Sequence, residues 1–147
     1  MLISKSRVVR GLICALGGLS VVVVFFFGTL LLLNSYDARQ RDMLRAEHAT
    51  SLKRALDRYH ATRGVFPTGR VADNPADDLA PQLVGGGYLR AVPRDPLPER
   101  SYRYTTDGAS DGQRYGLKIS LERAGDCLTG VGSEGRGWWG ALPPCPF

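Results

Sequence analysis

The sequence predicts an α+β fold in which a long N-terminal helix packs on a small antiparallel sheet with a C-terminal disulfide loop. Three observations predict this fold: an uncharged apolar run, an amphipathic helical pattern that continues it, and two later segments that alternate apolar with polar residues. A chain of 147 residues has the size of about one domain. A large multidomain enzyme is therefore excluded.

Residues 11–33 form an apolar run without a charged side chain and predict a transmembrane helix. Such a helix is about 34 Å long, enough to cross a hydrocarbon core of about 30 Å. A cleavable signal peptide is the alternative, since Lys5, Arg7 and Arg10 precede the run. Signal peptides have a shorter apolar core of about 7–15 residues, and residues 34–38 offer a poor cleavage site. A retained anchor is predicted.

The charges on either side of the apolar run predict the orientation of this anchor. The cations before the run favour a cytoplasmic N-terminus, with the C-terminal part in the periplasm or outside the cell. All 14 acidic residues follow the run, so the exported part is nearly balanced in charge. The net charge of +5 therefore does not indicate nucleic-acid binding, which needs cations concentrated on one face.

The cysteines predict one disulfide. Cys14 lies in the apolar run, which leaves Cys127 and Cys145 as a pair in the exported part. In an oxidising compartment, an even count of cysteines predicts a bridge between them. A zinc site is the alternative, but it needs about four ligands and no histidine lies near this pair.

Residues 34–62 predict an amphipathic helix that continues the anchor, since they contain neither proline nor glycine. The apolar residues that recur at helical spacing are Ala49, Leu52, Leu56 and Tyr59. Arg45 and the other charged residues are predicted to take other positions on the helix. The anchor and this pattern together predict one helix of about 50 residues, or about 75 Å. Gly64 and Pro67 are expected to end it.

The rest of the chain, residues 63–147, predicts a small head built of short elements. A short helix is expected at about residues 76–84, with Asn74 as its N-cap and Pro75 at its first position. Three consecutive glycines end this helix. Three prolines in residues 92–98 exclude a helix or a central strand there and predict an irregular connector.

Two strands are predicted after the connector, joined as an antiparallel hairpin. Tyr102 and Tyr104 belong to the first, and residues 115–121 alternate cleanly in the second. Asp-Gly turns between them predict a loop of about seven to nine residues. A third strand is predicted at about Trp138. Burial of at least one tryptophan is expected to hold the C-terminal part together, with a partner-facing position of Trp138 and Trp139 as the alternative.

Four short motifs occur in order along the chain at suitable intervals. They are Phe66-Pro67 at the helix end, Gly87-Tyr88-Leu89, Pro93-Arg94-Asp95-Pro96, and the stretch from Tyr102 to Gly108. With the element order, they resemble the type IV pilin and type II secretion pseudopilin superfamily over roughly residues 1–123, and the head is most like the major pseudopilin. The resemblance implies a pilin-like fold. Its parts would be a basic leader or tail (1–11), a transmembrane helix (12–33), a continuous amphipathic helix (34–62) and the head (63–147).

The resemblance also implies a processing site at the N-terminus. A prepilin peptidase would cleave after Gly11, so that the mature chain begins at Leu12. The family has a glutamate five residues into the mature chain, which is understood to align a new subunit in the filament, and this sequence has Leu16 there. The departure favours a minor subunit or a pilin-like head on a permanent anchor.

Catalytic and metal-binding patterns are scarce, and the chain is not expected to be an enzyme or to need a cofactor. His48 and His60 are about 18 Å apart along a helix, too far to share a metal. Major pseudopilins bind calcium in a loop of the head, which makes Asp107, Asp111 and Asp126 candidate ligands. Turn formation by Asp-Gly is the alternative explanation of these residues.

The expected function is that of a pilin- or pseudopilin-like structural subunit of a type II secretion or type IV pilus-type machine. Such a subunit acts by assembly and protein contact. The expected partners are the bacterial inner membrane, other pilin or pseudopilin subunits and a prepilin peptidase, with no nucleic acid. The alternative is a permanently anchored, single-pass periplasmic binding module with a pilin-like fold.

Overall fold

The structure is a computed structural model, and it describes residues 5–69, 73–106, 112–133 and 138–147. Helix α1 comprises Lys5–Arg63, and its side chains are described from residue 18 onward. The chain divides into two compact units, Met1–Ala38 and Arg39–Phe147. Both are described in turn.

In the first unit, the side chains of α1 between residues 18 and 33 are mostly apolar, and nearly all of them are exposed. It is long and apolar enough to cross a membrane, and none of its apolar window is buried. The hydroxyls of Thr29 and Ser35 donate to the carbonyls of Phe26 and Leu32, at 2.8 Å each. These polar groups are thus satisfied within the helix, as a lipid environment requires. The prediction of a helix that could span a membrane is confirmed.

In the second unit, α1 presents one apolar face to the core. The fully buried residues of this face are Ala49, Leu52, Ala55 and Leu56, in agreement with the predicted stripe. The helix ends at Arg63, one residue beyond the prediction. Gly64 takes a left-handed conformation with a φ of 77°, and its N–H donates to the carbonyl of His60 at 2.7 Å. Glycine adopts this conformation without steric cost, which is why the helix stops here.

The sheet has four antiparallel strands in the order β1-β2-β3-β4. The strands are β1 (Asn74–Pro75), β2 (Arg103–Thr106), β3 (Tyr115–Leu121) and β4 (Gly125–Val131). Tyr104, Leu117 and Ile119 point from the sheet into the same core as α1 and are fully buried. The predicted α+β fold and the pairing of β2 with β3 are confirmed. Residues 107–111 of the hairpin loop lie outside the described residues.

The short helix forms where it was predicted, but its start differs. A single 3-10 turn over Ala76–Leu79 leads into α2, Ala80–Leu83. Asn74 does not cap it, because Asn74 and Pro75 pair with β2 as strand β1. The buried strand pairing prevails over the local capping signal. Proline is tolerated in β1 because this strand lies at the edge of the sheet.

The predicted third strand at Trp138 is wrong. Trp138 lies in a turn, and Trp139 has a φ of 58°, a left-handed conformation that breaks an extended chain. The additional long strand is β4, which pairs with the whole of β3 from Tyr115↔Val131 to Leu121↔Gly125.

The C-terminal segment covers the outer face of the sheet, opposite α1. The side chain of Trp138 lies over Gly116 of β3, where an added Cβ would come within 2.8 Å of the indole ring. At the outer edge of β4, Leu128 donates to the carbonyl of Pro143 at 2.9 Å and accepts from Cys145 at 3.0 Å. The Cys127–Cys145 disulfide fixes this arrangement. The predicted disulfide is confirmed.

Candidate functional site: a buried arginine cluster

Among the residues that the structure describes, Arg45 is the charged residue buried in the core of the second unit. Arg45 is 0% exposed. It lies on the apolar stripe of α1, one turn before Ala49. The expectation that Arg45 takes a position off this stripe is therefore wrong. A buried guanidinium is rare and requires partners, since an unpaired charge in a protein interior is very unfavourable.

Three carboxylates surround the guanidinium of Arg45. Its Nε and Nη2 donate to both carboxylate oxygens of Asp95 at 2.8 Å each, which is a bidentate pair. Its Nη1 donates to Glu122 Oε1 at 2.7 Å and to Asp42 Oδ1 at 2.8 Å. We refer to Arg45, Asp42, Asp95, Glu122 and Arg41 as the Arg45 cluster.

The outer members of the cluster extend it to the surface. Arg41 forms a second bidentate pair with Glu122, at 2.7 and 2.8 Å. Asp42 also accepts the backbone N–H groups of Glu122 and Arg123, at 2.9 and 3.1 Å. The cluster thereby ties α1 to the proline-rich connector and to the turn between β3 and β4.

The ionisation of the cluster follows from these contacts. Hydrogen bonds to Asp95 raise the pKa of Arg45 despite its burial. Burial alone would raise the pKa of Asp95, but the hydrogen bonds from Arg45 and from the N–H of Leu97 hold it below its usual value. Arg41 is the main cause that lowers the pKa of Glu122 to about 2. Arg45, Asp95 and Glu122 are therefore charged at neutral pH, and the two carboxylates are paired with guanidinium groups. This arrangement positions segments of the chain and offers no free acid or base.

Of the three predicted calcium ligands, the described residues include Asp126 alone. Asp126 is exposed and lies 3.6 Å from the ammonium group of Lys118. Asp107 and Asp111 lie outside the described residues. In the described part of the chain, no three His, Cys, Asp or Glu side chains form a group that could hold a metal ion. A calcium site at these residues stays a prediction.

The two histidines have separate partners. Nδ1 of His48 lies 2.8 Å from the hydroxyl of Tyr102. The ring of His60 stacks on Phe66 with the centroids 4.4 Å apart, and its Nε2 lies 3.0 Å from Gln113. Both histidines therefore connect α1 to the head.

Other predicted functional residues have mixed outcomes. Gly11 and Leu12 lie in α1, and processing between them stays a prediction.

Trp138 and Trp139 are half-buried, so that each packs on the sheet and also reaches solvent. The ammonium group of Lys118 lies 5.9 Å from the ring centroid of Trp139, a distance typical of a cation–π contact.

No protein-family model, curated protein or solved structure matches the chain. The fold and the site define its class: an α+β protein with a long N-terminal helix and a disulfide-bound antiparallel sheet. One part of the helix could span a membrane, and another part carries the core face of the second unit. This arrangement is compatible with a pilin-like fold.

Proposed function

We propose that the chain is a pilin- or pseudopilin-like structural subunit of a type II secretion or type IV pilus-type envelope machine. It acts by assembly and protein contact, without catalysis and without a cofactor. The observation that carries the proposal is α1 itself. One helix has exposed apolar side chains suited to lipid before residue 34 and a buried stripe within the second unit.

The motifs that resemble the pilin superfamily support the proposal, because they coincide with contacts that build the head. Asp95 of Pro93-Arg94-Asp95-Pro96 binds the buried Arg45. The hydroxyl of Tyr104 donates to the carbonyl of Pro67 at 2.7 Å. Three of the four motifs thus contribute a contact of their own to the head.

We further propose that α1 anchors the chain in the bacterial inner membrane with a cytoplasmic N-terminus and a periplasmic head. The cations before the apolar run favour this orientation. The disulfide supports it, since such bridges persist in oxidising compartments.

The test is the intact mass and N-terminal sequence of the protein purified from its native membranes. The proposal predicts a chain that begins at Leu12. Gly11→Ile should abolish this processing, whereas Gly18→Ile is the matched control, because a Cβ at Gly18 meets nothing within 4 Å. Lysine cross-linking in the same membranes should then join the processed chain to other subunits.

A permanently anchored binding module is the second candidate, and Leu16 favours it, since the family has a glutamate at that place. This alternative predicts a chain that keeps Met1 and forms no cross-links to pilin-like subunits. That result would overturn the proposal of an assembling subunit and would leave the resemblance as a matter of fold alone.

A further inference from the structure

A cavity of about 370 Å³ opens between the proline-rich connector and the 3-10 turn, within the second unit. Its volume is at the lower end of the range of about 300–1,000 Å³ that is usual for ligand sites. The lining residues that carry the argument are Asp77, Arg94, Asp95, Arg100 and the connector prolines.

The charged residues that line the cavity differ in whether they already have a partner. Asp95 is already held by Arg45 in a bidentate pair. Arg94 is exposed and makes no hydrogen bond or ion pair within the described parts of the chain. Arg100 makes one hydrogen bond there, from Nη1 to the carbonyl of Ser120 at 3.3 Å. Two guanidiniums whose donors are at least partly free among the described residues therefore line the same cavity as one exposed carboxylate, that of Asp77.

The wall of the cavity is rigid before any ligand arrives. Pro93, Pro96 and Pro98 restrict the backbone of the connector. The carboxylate of Asp95 is fixed by Arg45 and also accepts the N–H of Leu97 at 2.9 Å. The prolines offer no N–H group, and the guanidiniums of Arg94 and Arg100 are the positively charged donors of the lining. Such preorganisation lowers the entropic cost of binding.

We propose that this cavity binds the carboxylate of an acidic side chain in an extended segment of a partner protein. Guanidinium groups match a carboxylate in geometry and charge. Asp77 would accept a backbone N–H of the same segment, so that an acidic peptide satisfies both signs of charge. A doubly charged phosphoryl group fits less well, because Asp77 repels it. The inference goes beyond the proposed function and does not require that the chain enters a filament.

The experiment uses the full chain in detergent micelles and the peptide acetyl-Ala-Glu-Ala-amide, with the glutamine peptide and inorganic phosphate as comparison ligands. Chemical shifts of the arginine Nε–H groups report binding. The glutamate peptide should perturb the Nε–H signals of Arg94 and Arg100, and the glutamine peptide should not. Phosphate should bind more weakly than the glutamate peptide.

Two matched pairs of variants locate the site. Arg94→Gln should weaken binding of the glutamate peptide about tenfold, the equivalent of one charge-assisted hydrogen-bond pair. Arg90→Gln is the control, since Arg90 is also exposed in the neighbouring loop but does not line the cavity. Asp77→Asn should bring phosphate binding up to that of the peptide, whereas Asp78→Asn should not.

Equal binding of the glutamate and glutamine peptides, or no binding of either, would overturn the inference. An equal effect of Arg90→Gln and Arg94→Gln would do the same, as would tighter binding of phosphate than of the peptide. Unchanged thermal unfolding of each variant confirms that it folds. A chain that keeps Met1 and still binds the peptide would overturn the proposed assembly alone. A processed chain that does not bind it would overturn this inference alone.

Discussion

The guanidinium of Arg45 joins segments that are far apart in the sequence. Its partners Asp95 and Glu122 lie 50 and 77 residues away. A buried ion pair of this kind has a large desolvation cost, which its attraction offsets only when the geometry is good and the remaining donors are satisfied. Here three nitrogens of Arg45 donate to carboxylates.

Removal of Arg45 should be strongly destabilising. Arg45→Met leaves the carboxylate of Asp95, which is 2% exposed, without its main partner. We expect a loss of about 3–5 kcal/mol in the free energy of unfolding, measured by chemical denaturation of the full chain in micelles. Arg41→Met is the control, since the Arg41 side chain is 31% exposed and an exposed pair contributes about 0–1 kcal/mol. Equal losses in the two variants would contradict this account.

The cluster should also make the stability depend on acid pH. The pKa of Glu122 is about 2 in the folded chain against an ordinary 4.5. A lowered acid pKa contributes stability that is complete above about pH 4.5 and is lost as the pH falls towards 2. After allowance for solvent screening, the contribution is about 1–2 kcal/mol. Unfolding midpoints between pH 6 and pH 2 should fall less steeply in Glu122→Gln, and parallel curves would count against it.

The burial of Arg45 could be predicted from its position in the sequence. It precedes Ala49 by four residues and Leu52 by seven, which places it on the apolar stripe. A charge on such a stripe indicates a buried partner of opposite sign. The partner cannot be identified from the neighbouring sequence, because Asp95 and Glu122 come close to Arg45 only in the tertiary fold.

Among the secondary-structure elements, the C-terminal layer depends on close approach at Gly116. Gly116→Ala would place a Cβ within 2.8 Å of the indole of Trp138. Because the ring must move away from β3, we expect a loss of about 1–3 kcal/mol and a red shift of tryptophan fluorescence. Ser120→Ala is the matched control on the same face of β3. A blue shift, or the same loss of stability in the control, would show that Trp138 does not pack here.

The disulfide should stabilise this layer without supporting the helix. It closes a loop between residues 18 apart in sequence, for which the loop-entropy estimate is about 3 kcal/mol. Cys127→Ser and Cys145→Ser should each lower the unfolding temperature of the second unit and remove its response to reductant, while circular dichroism retains the helix signal. Cys14→Ser should keep the response to reductant, since Cys14 lies outside the bridge. An unchanged unfolding temperature after reduction would contradict the prediction.

The elements differ in how well the sequence predicts them. Strand β3 alternates apolar and polar residues over seven positions, and the end of α1 has its glycine, so local patterns were sufficient. Strand β4 contains Gly125, Asp126 and Gly130, which have low strand propensity, and it forms because β3 offers a full-length pairing edge. Pro75 indicated a helix start but instead lies in β1, because an edge pairing with β2 was available.

At the scale of the whole molecule, the core seen in the described residues lies in one unit. Every residue of known burial that belongs to this hydrophobic core falls within Arg39–Phe147. A fragment of these residues should therefore fold in water without detergent and unfold within a few degrees of the same unit in the full chain. The full chain should require detergent, because its first unit has large apolar side chains in contact with solvent. Phe25 and Leu31, for example, are 73% and 71% exposed. Aggregation or absence of cooperative unfolding in the fragment would contradict this division.

The bidentate pair between Arg45 and Asp95 also determines how the helix is rotated about its own axis in the second unit. An apolar stripe alone tolerates rolling of a helix on a sheet, because hydrophobic contacts are not directional. A planar guanidinium that shares two hydrogen bonds with one carboxylate accepts a single orientation. The pair therefore sets the rotational position of this part of α1, and so determines which of its residues face outwards.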